Sequence, residues 1–291
     1  MQYSVSHAIY SNEIRKGQAV RRLPSVIIIG VKKCGTRALL EYMKLHPAIK
    51  APGPEPHFFD RNYHLGLDWY RSKMPLTYDD EITVEKTPRY FVTPGVPERI
   101  FNMSNVTKLL LVTRDPVVRA MSDFTQSVSK GGNSTKVSFT SRVLRRNGKV
   151  NTHSSIVETG LYVKYMQQWL HIFGKKNIHL VSGENLINNP IEELEKVQDF
   201  IGVERKINKS AIYFNATRGF PCIYRRDKNP SHKCFGQTKG RSHIHCATQL
   251  NDLRVDSHTS YEPSSSVSEF QNCMADVLRS DLLQKIQTSC K

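Results

Sequence analysis

Three short apolar runs stand out from an otherwise polar chain. They cover Val26–Gly30, Lys108–Thr113 and Ile178–Ser182, and each is rich in Val, Ile or Leu. Runs of this length are typical of buried strands, whereas a helix needs a longer segment. The pattern therefore predicts three buried strands of an α/β fold.

Apolar residues spaced three and four apart predict helices between and after these strands. The predicted helices cover residues 36–45, 66–74, 94–102, a segment that begins at Pro116, 159–173 and 190–201. The last is the best marked, because Pro190 stands at its start and Gly202 just past its end. Residues 82–91 predict a strand that breaks at Pro88, which places Lys86 at the end of that strand.

The segment from Gly30 to Thr36 has the chemistry of an anion site. It predicts a strand, a short glycine-containing loop and a helix N-terminus, where free amide N–H groups and the positive end of the helix dipole converge. Lys32, Lys33 and Arg37 add full positive charges. The spacing is too short for the G-x-x-x-x-G-K-[ST] pattern of a Walker A loop.

The next segment, residues 46–60, contains prolines and a glycine that exclude a regular helix. We expect it to run over the end of the sheet, where open α/β folds bind their ligands. It carries Glu55 and His57 beside Phe58 and Phe59. A carboxylate held within reach of a hydroxyl group can act as a general base, which makes Glu55 a catalytic candidate.

Two later segments offer further contacts for an anion. Arg114 follows the strand that ends at Thr113, and Ser122 lies in the next predicted helix. An arginine presents a two-pronged donor to a phosphate, and a serine adds a hydroxyl. The turn of residues 239–243, Lys-Gly-Arg-Ser-His, combines backbone N–H groups with positive charge in the same way.

The charge of the chain points to a polyanionic partner. Its 291 residues include 42 Lys and Arg against 26 Asp and Glu, a net charge of +16. Nucleic acids, anionic membranes and sulfated glycans all fit this charge. The sequence contains neither the aromatic and basic motif typical of RNA-binding domains nor an apolar run of about 20 residues that would span a bilayer.

The cysteines and glycosylation motifs bear on the compartment. Cys222 and Cys234 lie in a polar segment and predict a loop closed by a disulfide, since they form no C-x-x-C pair of the kind zinc sites use. N-x-[ST] motifs occur at Asn102, Asn105, Asn133, Asn208 and Asn215. Together these features favour a secretory compartment. Residues 1–24 lack an apolar signal core, so we expect the targeting and membrane-anchor segment to be absent from this sequence.

Five ordered motifs resemble those of the heparan sulfate glucosamine 3-O-sulfotransferases. They are Gly30-Val-Lys-Lys-Cys-Gly-Thr-Arg37, Glu55-Pro-His-Phe-Phe-Asp60, Val84-Glu-Lys-Thr-Pro88, Leu111-Val-Thr-Arg-Asp-Pro116 with Ser122-Asp-Phe-Thr-Gln126, and Lys239-Gly-Arg-Ser-His243. The resemblance implies a P-loop-like fold, with a parallel sheet flanked by helices, and location in the Golgi lumen. It further implies that 3′-phosphoadenylyl sulfate (PAPS) is the sulfuryl donor, that no metal is required and that the partner is heparan sulfate or a heparin-like glycan, not nucleic acid.

The resemblance also implies a role for each matching residue. Glu55 would take the proton from the glucosamine 3-hydroxyl, and the other catalytic residues would be Lys33, Lys86 and His57. The donor would be held by Lys33, Gly35, Thr36, Arg37, Arg114, Ser122, Lys239, Gly240, Arg241, Ser242 and His243. The residues facing the glycan would be Lys32, His57, Asp60, Lys86 and Gln126. The family disulfide would join Cys222 to Cys234.

The chain departs from the family pattern at two places. Cys34 stands where the family loop has glycine, and a side chain there is expected to disfavour a positive φ and narrow the phosphate cradle. Residues 246–291 do not match the closing segment of the family. We therefore divide the chain into an N-terminal flank of residues 1–23, a sulfotransferase domain of residues 24–245 and a divergent C-terminal segment.

Three alternative functions remain open at this stage. One is a related glycosaminoglycan sulfotransferase that acts on the amino group or the 6-hydroxyl. Another is an inactive, heparin-binding relative that uses the charge without catalysis. A kinase or nucleoside triphosphatase is the third, although the Walker spacing it needs is missing.

Overall fold

A parallel sheet of five strands forms the centre of the molecule, for which a computed structural model describes residues 17–130, 138–216, 220–224 and 232–234. Its strands are β2 (Val26–Gly30), β3 (Ile49–Lys50), β5 (Ile82–Lys86), β6 (Lys108–Thr113) and β7 (Ile178–Ser182). They lie side by side in the order β3-β5-β2-β6-β7. The phosphate-loop strand β2 is therefore central, and its neighbours β5 and β6 both carry predicted site residues at their carboxyl ends.

Two small antiparallel sheets lie outside this centre. The strands β1 (Val20–Arg21) and β4 (Leu76–Thr77) pair with each other. The strands β8 (Ile212–Asn215), β9 (Phe220–Tyr224) and β10 (His232–Cys234) form the other sheet, in the order β10-β9-β8. In this sheet Cys234 lies directly opposite Cys222, and Cys222 is disulfide-bonded. This register supports the predicted Cys222–Cys234 pairing.

Helices flank the central sheet. They are α1 (Thr36–Met43), α2 (Gly66–Ser72), α3 (Val96–Met103), α4 (Pro116–Lys130), α5 (Phe139–Val143), α6 (Ser155–Glu158), α7 (Tyr162–Phe173), α8 (Asn185–Asn188) and α9 (Pro190–Ile201). Single turns of other helix types cover Phe58–Asn62, Tyr63–Leu65, Tyr90–Val92 and Lys175–Asn177. None of the helices in these described ranges is long and apolar enough to cross a bilayer.

The apolar pattern located the strands better than the helix starts. The strands predicted at 26–30, 108–113 and 178–182 are confirmed with their bounds, and so is the helix at 190–201. The helix predicted from Pro94 begins instead at Val96, because Gly95 before it has a left-handed backbone conformation, φ 76°, which is not helical. The helix predicted from residue 159 begins at Tyr162, after the separate short helix α6.

The strand β2 lies at the centre of the hydrophobic core. Every residue of β2 is buried, and Ile27, Ile28 and Ile29 have no exposed surface. Side chains from α1, α7 and α9 close over the sheet, including the fully buried Trp169. Burial of each such large apolar side chain stabilises the fold by about 1.5–3 kcal/mol. The loop that follows β2 is thus attached to a strand that is buried along its whole length.

Candidate active site at the carboxyl edge of the sheet

The loop between β2 and α1 has the open geometry of an anion cradle. The N–H of Val31 donates to the carbonyl of Val112 at 2.9 Å, which fixes the start of the loop on β6. Gly35 is the N-cap of α1 with φ 109°, and no side chain caps the helix there. The first amide N–H groups of α1 therefore point toward the loop without a side-chain acceptor of their own, as an anion site requires.

The Cys34 side chain does not narrow the cradle, contrary to the expectation from the sequence. Within the loop the non-glycine residue with positive φ is Lys33, at 74°, and not Cys34. Cys34 instead turns into the core, where its thiol lies 3.4 Å from the hydroxyl of Tyr162. Burial raises the pKa of this thiol to about 11, so Cys34 stays neutral at physiological pH. The side chain thus packs below the cradle and leaves its opening clear.

Tyr162 connects the phosphate loop to Arg114. Its hydroxyl donates to the backbone carbonyl of Arg114 at 2.7 Å while it contacts the Cys34 thiol. The N–H of Asp115 donates to Glu184 at 2.8 Å, and the Asp115 carboxylate caps the first turn of α4. Arg114 and the phosphate loop therefore belong to one edge of the sheet. Arg114 also lines a cavity of about 1320 Å³ along β7.

Gly183 allows β6, β7 and the phosphate loop to pack this closely. A Cβ at Gly183 would lie 2.5 Å from the carbonyl oxygen of Cys34 and 2.9 Å from that of Thr113. Both contacts are to backbone atoms, so one of the strands or the loop would have to move.

We therefore expect Gly183→Ala to lower the free energy of unfolding by about 1–3 kcal/mol, the usual cost of overpacking. Urea unfolding measures this change. The matched control is Gly53→Ala, because a Cβ at Gly53 meets nothing within 4 Å. Equal stability of the two variants would contradict the tight packing of Gly183.

The second part of the site is an acid and base cluster next to β5. The ammonium of Lys86 donates to the carboxylate of Glu55, and Nε2 of His57 lies 3.4 Å from the same carboxylate. Nδ1 of His57 lies 2.9 Å from Asp60, whose side chain is 2% exposed. In the described part of the chain, the buried Oδ1 of Asp60 has no hydrogen-bond partner. Glu55, Lys86, His57 and Asp60 therefore form one cluster of contacting side chains.

The register of the sheet places this cluster beside the phosphate loop. Lys86 lies opposite Ile28 of β2, and the N–H of Thr87 donates to the carbonyl of Ile28 at 3.2 Å. Adjacent strands are about 4.8 Å apart. The Glu55–Lys86 pair thus adjoins the strand that leads into the cradle. The rings of Phe58 and Phe59, which stand next to this cluster in the sequence, are directed into the core.

A third group of contacts was missed by sequence reasoning. Lys32 Nζ lies 2.7 Å from the carboxylate of Asp123, and Asp123 also accepts from Arg119 at 3.0 Å. Arg119 is completely buried and donates to the backbone carbonyls of Lys32 and Ile156. The spacing of Arg119 and Asp123, four residues apart on α4, was the available signal. Lys32, predicted to face the glycan, is held on α4 by this acid.

The remaining predicted residues are placed as follows. Arg37 is exposed on the first turn of α1, next to the buried Thr36, while Ser122 and Gln126 are half-buried on α4. Residues 239–243 lie outside the described part of the chain. Within that part, no group of three His, Cys, Asp or Glu could hold a metal ion.

Below Lys86 lies a carboxyl group that sequence reasoning did not single out. Glu85 has no exposed surface and accepts from Thr87 at 2.5 Å and from Tyr70 at 3.1 Å. Burial raises its pKa to about 8, with a smaller rise from Glu55, against the hydrogen bonds of Thr87 and Tyr70 and the charge of Lys86.

This carboxyl predicts a pH-dependent stability. Between its ordinary value of 4.5 and about 8, the folded protein keeps a proton that the unfolded chain has lost. Stability therefore falls as pH rises through this range, by at most about 1.4 kcal/mol per pH unit, and levels off above it. Urea unfolding at several pH values, wild type against Glu85→Gln, isolates this group. If the free energy of unfolding had the same pH dependence in both proteins, the raised pKa of Glu85 would be contradicted.

Comparison with known proteins identifies the family. The model of the sulfotransferase domain family matches residues 23–245. Over 241 residues the chain is 49% identical to the mouse (Mus musculus) heparan sulfate glucosamine 3-O-sulfotransferase 3B1, covering 82% of this chain and 61% of that protein. It is 48% identical to the human (Homo sapiens) heparan sulfate glucosamine 3-O-sulfotransferase 6, covering 79% of this chain and 67% of that protein. The chain thus spans about three fifths of the length of the mouse relative.

Solved structures share the fold at lower identity. A sulfotransferase from Alicyclobacillus acidocaldarius superposes with a TM-score of 0.56 at 22% identity, covering 67% of this chain and 88% of that one. Mouse sulfotransferase SULT7A1 complexed with PAP does so with a TM-score of 0.54 at 17% identity, covering 92% and 90%. The predicted fold class, a parallel sheet flanked by helices, is confirmed. The chain belongs to the heparan sulfate glucosamine 3-O-sulfotransferase family.

Proposed function

We propose that this protein transfers a sulfuryl group from PAPS to the 3-hydroxyl of glucosamine residues in heparan sulfate. The observation that carries the proposal is the Glu55–Lys86 pair, which adjoins the strand leading into an anion cradle in a member of this family. A base beside an anion site is the minimum that hydroxyl attack on a phosphosulfate requires.

The donor fits the residues at the cradle. The uncapped N-terminus of α1 and the ammonium of Lys33 suit the 5′-phosphosulfate, and Thr36 and Arg37 follow on the same helix turn. The guanidinium of Arg114 and the hydroxyl of Ser122 suit the 3′-phosphate. PAPS, when bound, supplies the sulfuryl group. The turn at 239–243 stays a prediction for the donor site.

The acid and base cluster suits the acceptor sugar. Glu55 is one third exposed, so its carboxylate can reach a hydroxyl from solvent and take the proton. Lys86 holds this carboxylate and is placed to stabilise negative charge that develops beside it. His57 is anchored on Asp60, so the buried Asp60 carboxylate acts on the acceptor site through the orientation of this imidazole.

Polyanion binding accounts for the charge of the chain. A net charge of +16 attracts a sulfated glycan and makes its affinity fall with added salt. We propose two further contacts with the glycan. One is Lys32, which pairs with Asp123 of α4 and is half-exposed, and the other is Gln126, which also lies on α4. The disulfide at Cys222 and the N-x-[ST] motifs support a place in the Golgi lumen.

The test is sulfate transfer from radiolabelled PAPS to heparan sulfate, followed by disaccharide mapping of the product. We expect label at the 3-hydroxyl. Label on the amino group or the 6-hydroxyl would replace the proposal with another glycosaminoglycan sulfotransferase. Heparin binding without transfer, and without thermal protection by the product nucleotide 3′-phosphoadenosine 5′-phosphate (PAP), would identify an inactive relative.

A further inference from the structure

The two residues at the end of β5 contact the same loop from opposite faces of the sheet. Side chains alternate along a strand, so Lys86 and Glu85 point in opposite directions. Lys86 reaches the carboxylate of Glu55, whereas Glu85 turns into the core under the turn Phe58–Asn62. The proposed mechanism uses Lys86 and leaves Glu85 without a role.

A chain of hydrogen bonds leads from Glu85 to the backbone of this loop. The N–H groups of Phe58 and Phe59 donate to the hydroxyl oxygen of Tyr90 at 2.9 and 3.4 Å. Tyr90 hydrogen-bonds Thr87, and the Thr87 hydroxyl donates to Glu85 at 2.5 Å. Glu85 therefore accepts the hydrogen bond at one end of this chain, and the backbone of Phe58 and Phe59 donates at the other end.

A second connection runs through an aromatic ring. Tyr70, fully buried on α2, donates to the other oxygen of Glu85 at 3.1 Å. Its ring stacks on Phe58 with a centroid distance of 4.4 Å and meets the edge of Phe59 at 5.2 Å. Both connections end at Phe58 and Phe59, the two residues between His57 and Asp60.

We propose that Glu85 is a positioning residue that holds the loop bearing Glu55, His57 and Asp60 against the end of β5. The inference rests on the proposed sulfuryl transfer for its consequence, since a base displaced by about 1 Å can lose about 100-fold in rate. For its structural part it rests only on the contacts of Glu85. A neutral acceptor of the same shape should serve, because the chain needs an oxygen at this place.

Amide hydrogen exchange tests the structural part without any need for activity. Glu85→Met keeps the volume and loses the acceptor, and we expect exchange at Phe58 and Phe59 to rise at least about 10-fold, since local opening becomes easier. Glu85→Gln keeps an acceptor and should leave exchange within about threefold of wild type, because the hydrogen-bond chain stays closed. Glu193→Met is the matched control, since Glu193 is also a buried acceptor but contacts Ser182 on β7.

Kinetics test the consequence. We expect Glu85→Met to lower kcat about 100-fold, with rescue by Glu85→Gln and with unchanged binding of PAP measured by calorimetry. A purely structural defect would weaken nucleotide binding as well. A folded Glu85→Met variant with wild-type kcat, or with wild-type exchange at Phe58 and Phe59, would overturn the inference. A wild-type protein without sulfate transfer would instead refute the proposed function, and the exchange result would still decide the role of Glu85.

Discussion

We expect the replacement of Glu55 with Gln to lower kcat for the proposed sulfate transfer by about 1000-fold, within the range that a general base contributes. The amide keeps the size of the side chain and an oxygen that Lys86 can contact, but it cannot take a proton from the acceptor hydroxyl. Because the cradle lies on other segments, the affinity for PAP should stay within about threefold. Transfer to heparan sulfate from radiolabelled PAPS measures the rate, and calorimetry measures the binding.

The matched control for Glu55 is another acid with a lysine partner. Glu192 forms an exposed pair with Lys196 at 2.7 Å on α9 and is absent from the proposed site. Glu192→Gln should therefore leave kcat at the wild-type value. A Glu55→Gln enzyme as fast as this control would remove Glu55 as the base and leave positioning and charge stabilisation to carry the reaction.

The cradle could be predicted because its determinants are local in the sequence. An apolar strand, a glycine at φ 109° and a helix start follow one another within residues 26–36, so neighbouring residues alone define the geometry. The same holds for Lys86, which a strand and a proline place at the end of β5. The spacing of apolar residues predicts the strand and the helix start, so no knowledge of the tertiary contacts is needed.

The partners of the predicted site residues could not be derived in this way. Lys32 meets Asp123 across 91 positions of sequence, and Cys34 meets Tyr162 across 128. Such contacts depend on which helix packs over which loop. For Cys34, the side chain was expected to obstruct the cradle, but the core below the loop accepts it, and Lys33 adopts the positive φ instead.

We expect the replacement of Arg119 with Met to lower the free energy of unfolding by about 3–5 kcal/mol, the usual cost of removing one partner from a buried ion pair. The methionine fills much of the space but leaves the carbonyls of Lys32 and Ile156 without their donor. It also leaves Asp123, which is 5% exposed, with the half-exposed Lys32 as its cation. Urea unfolding measures the loss.

The effect should extend from stability to the cradle, because Arg119 holds the backbone of the phosphate loop at Lys32. We expect weaker binding of PAP by the folded variant, whereas Arg205→Met should change neither property, since its pairs with Asp199 and Glu195 are exposed. In a double-mutant cycle with Asp123→Asn, the two losses should be non-additive, as contacting partners require. Additive losses, or a loss below about 1 kcal/mol for Arg119→Met, would mean that the buried guanidinium does not support the loop.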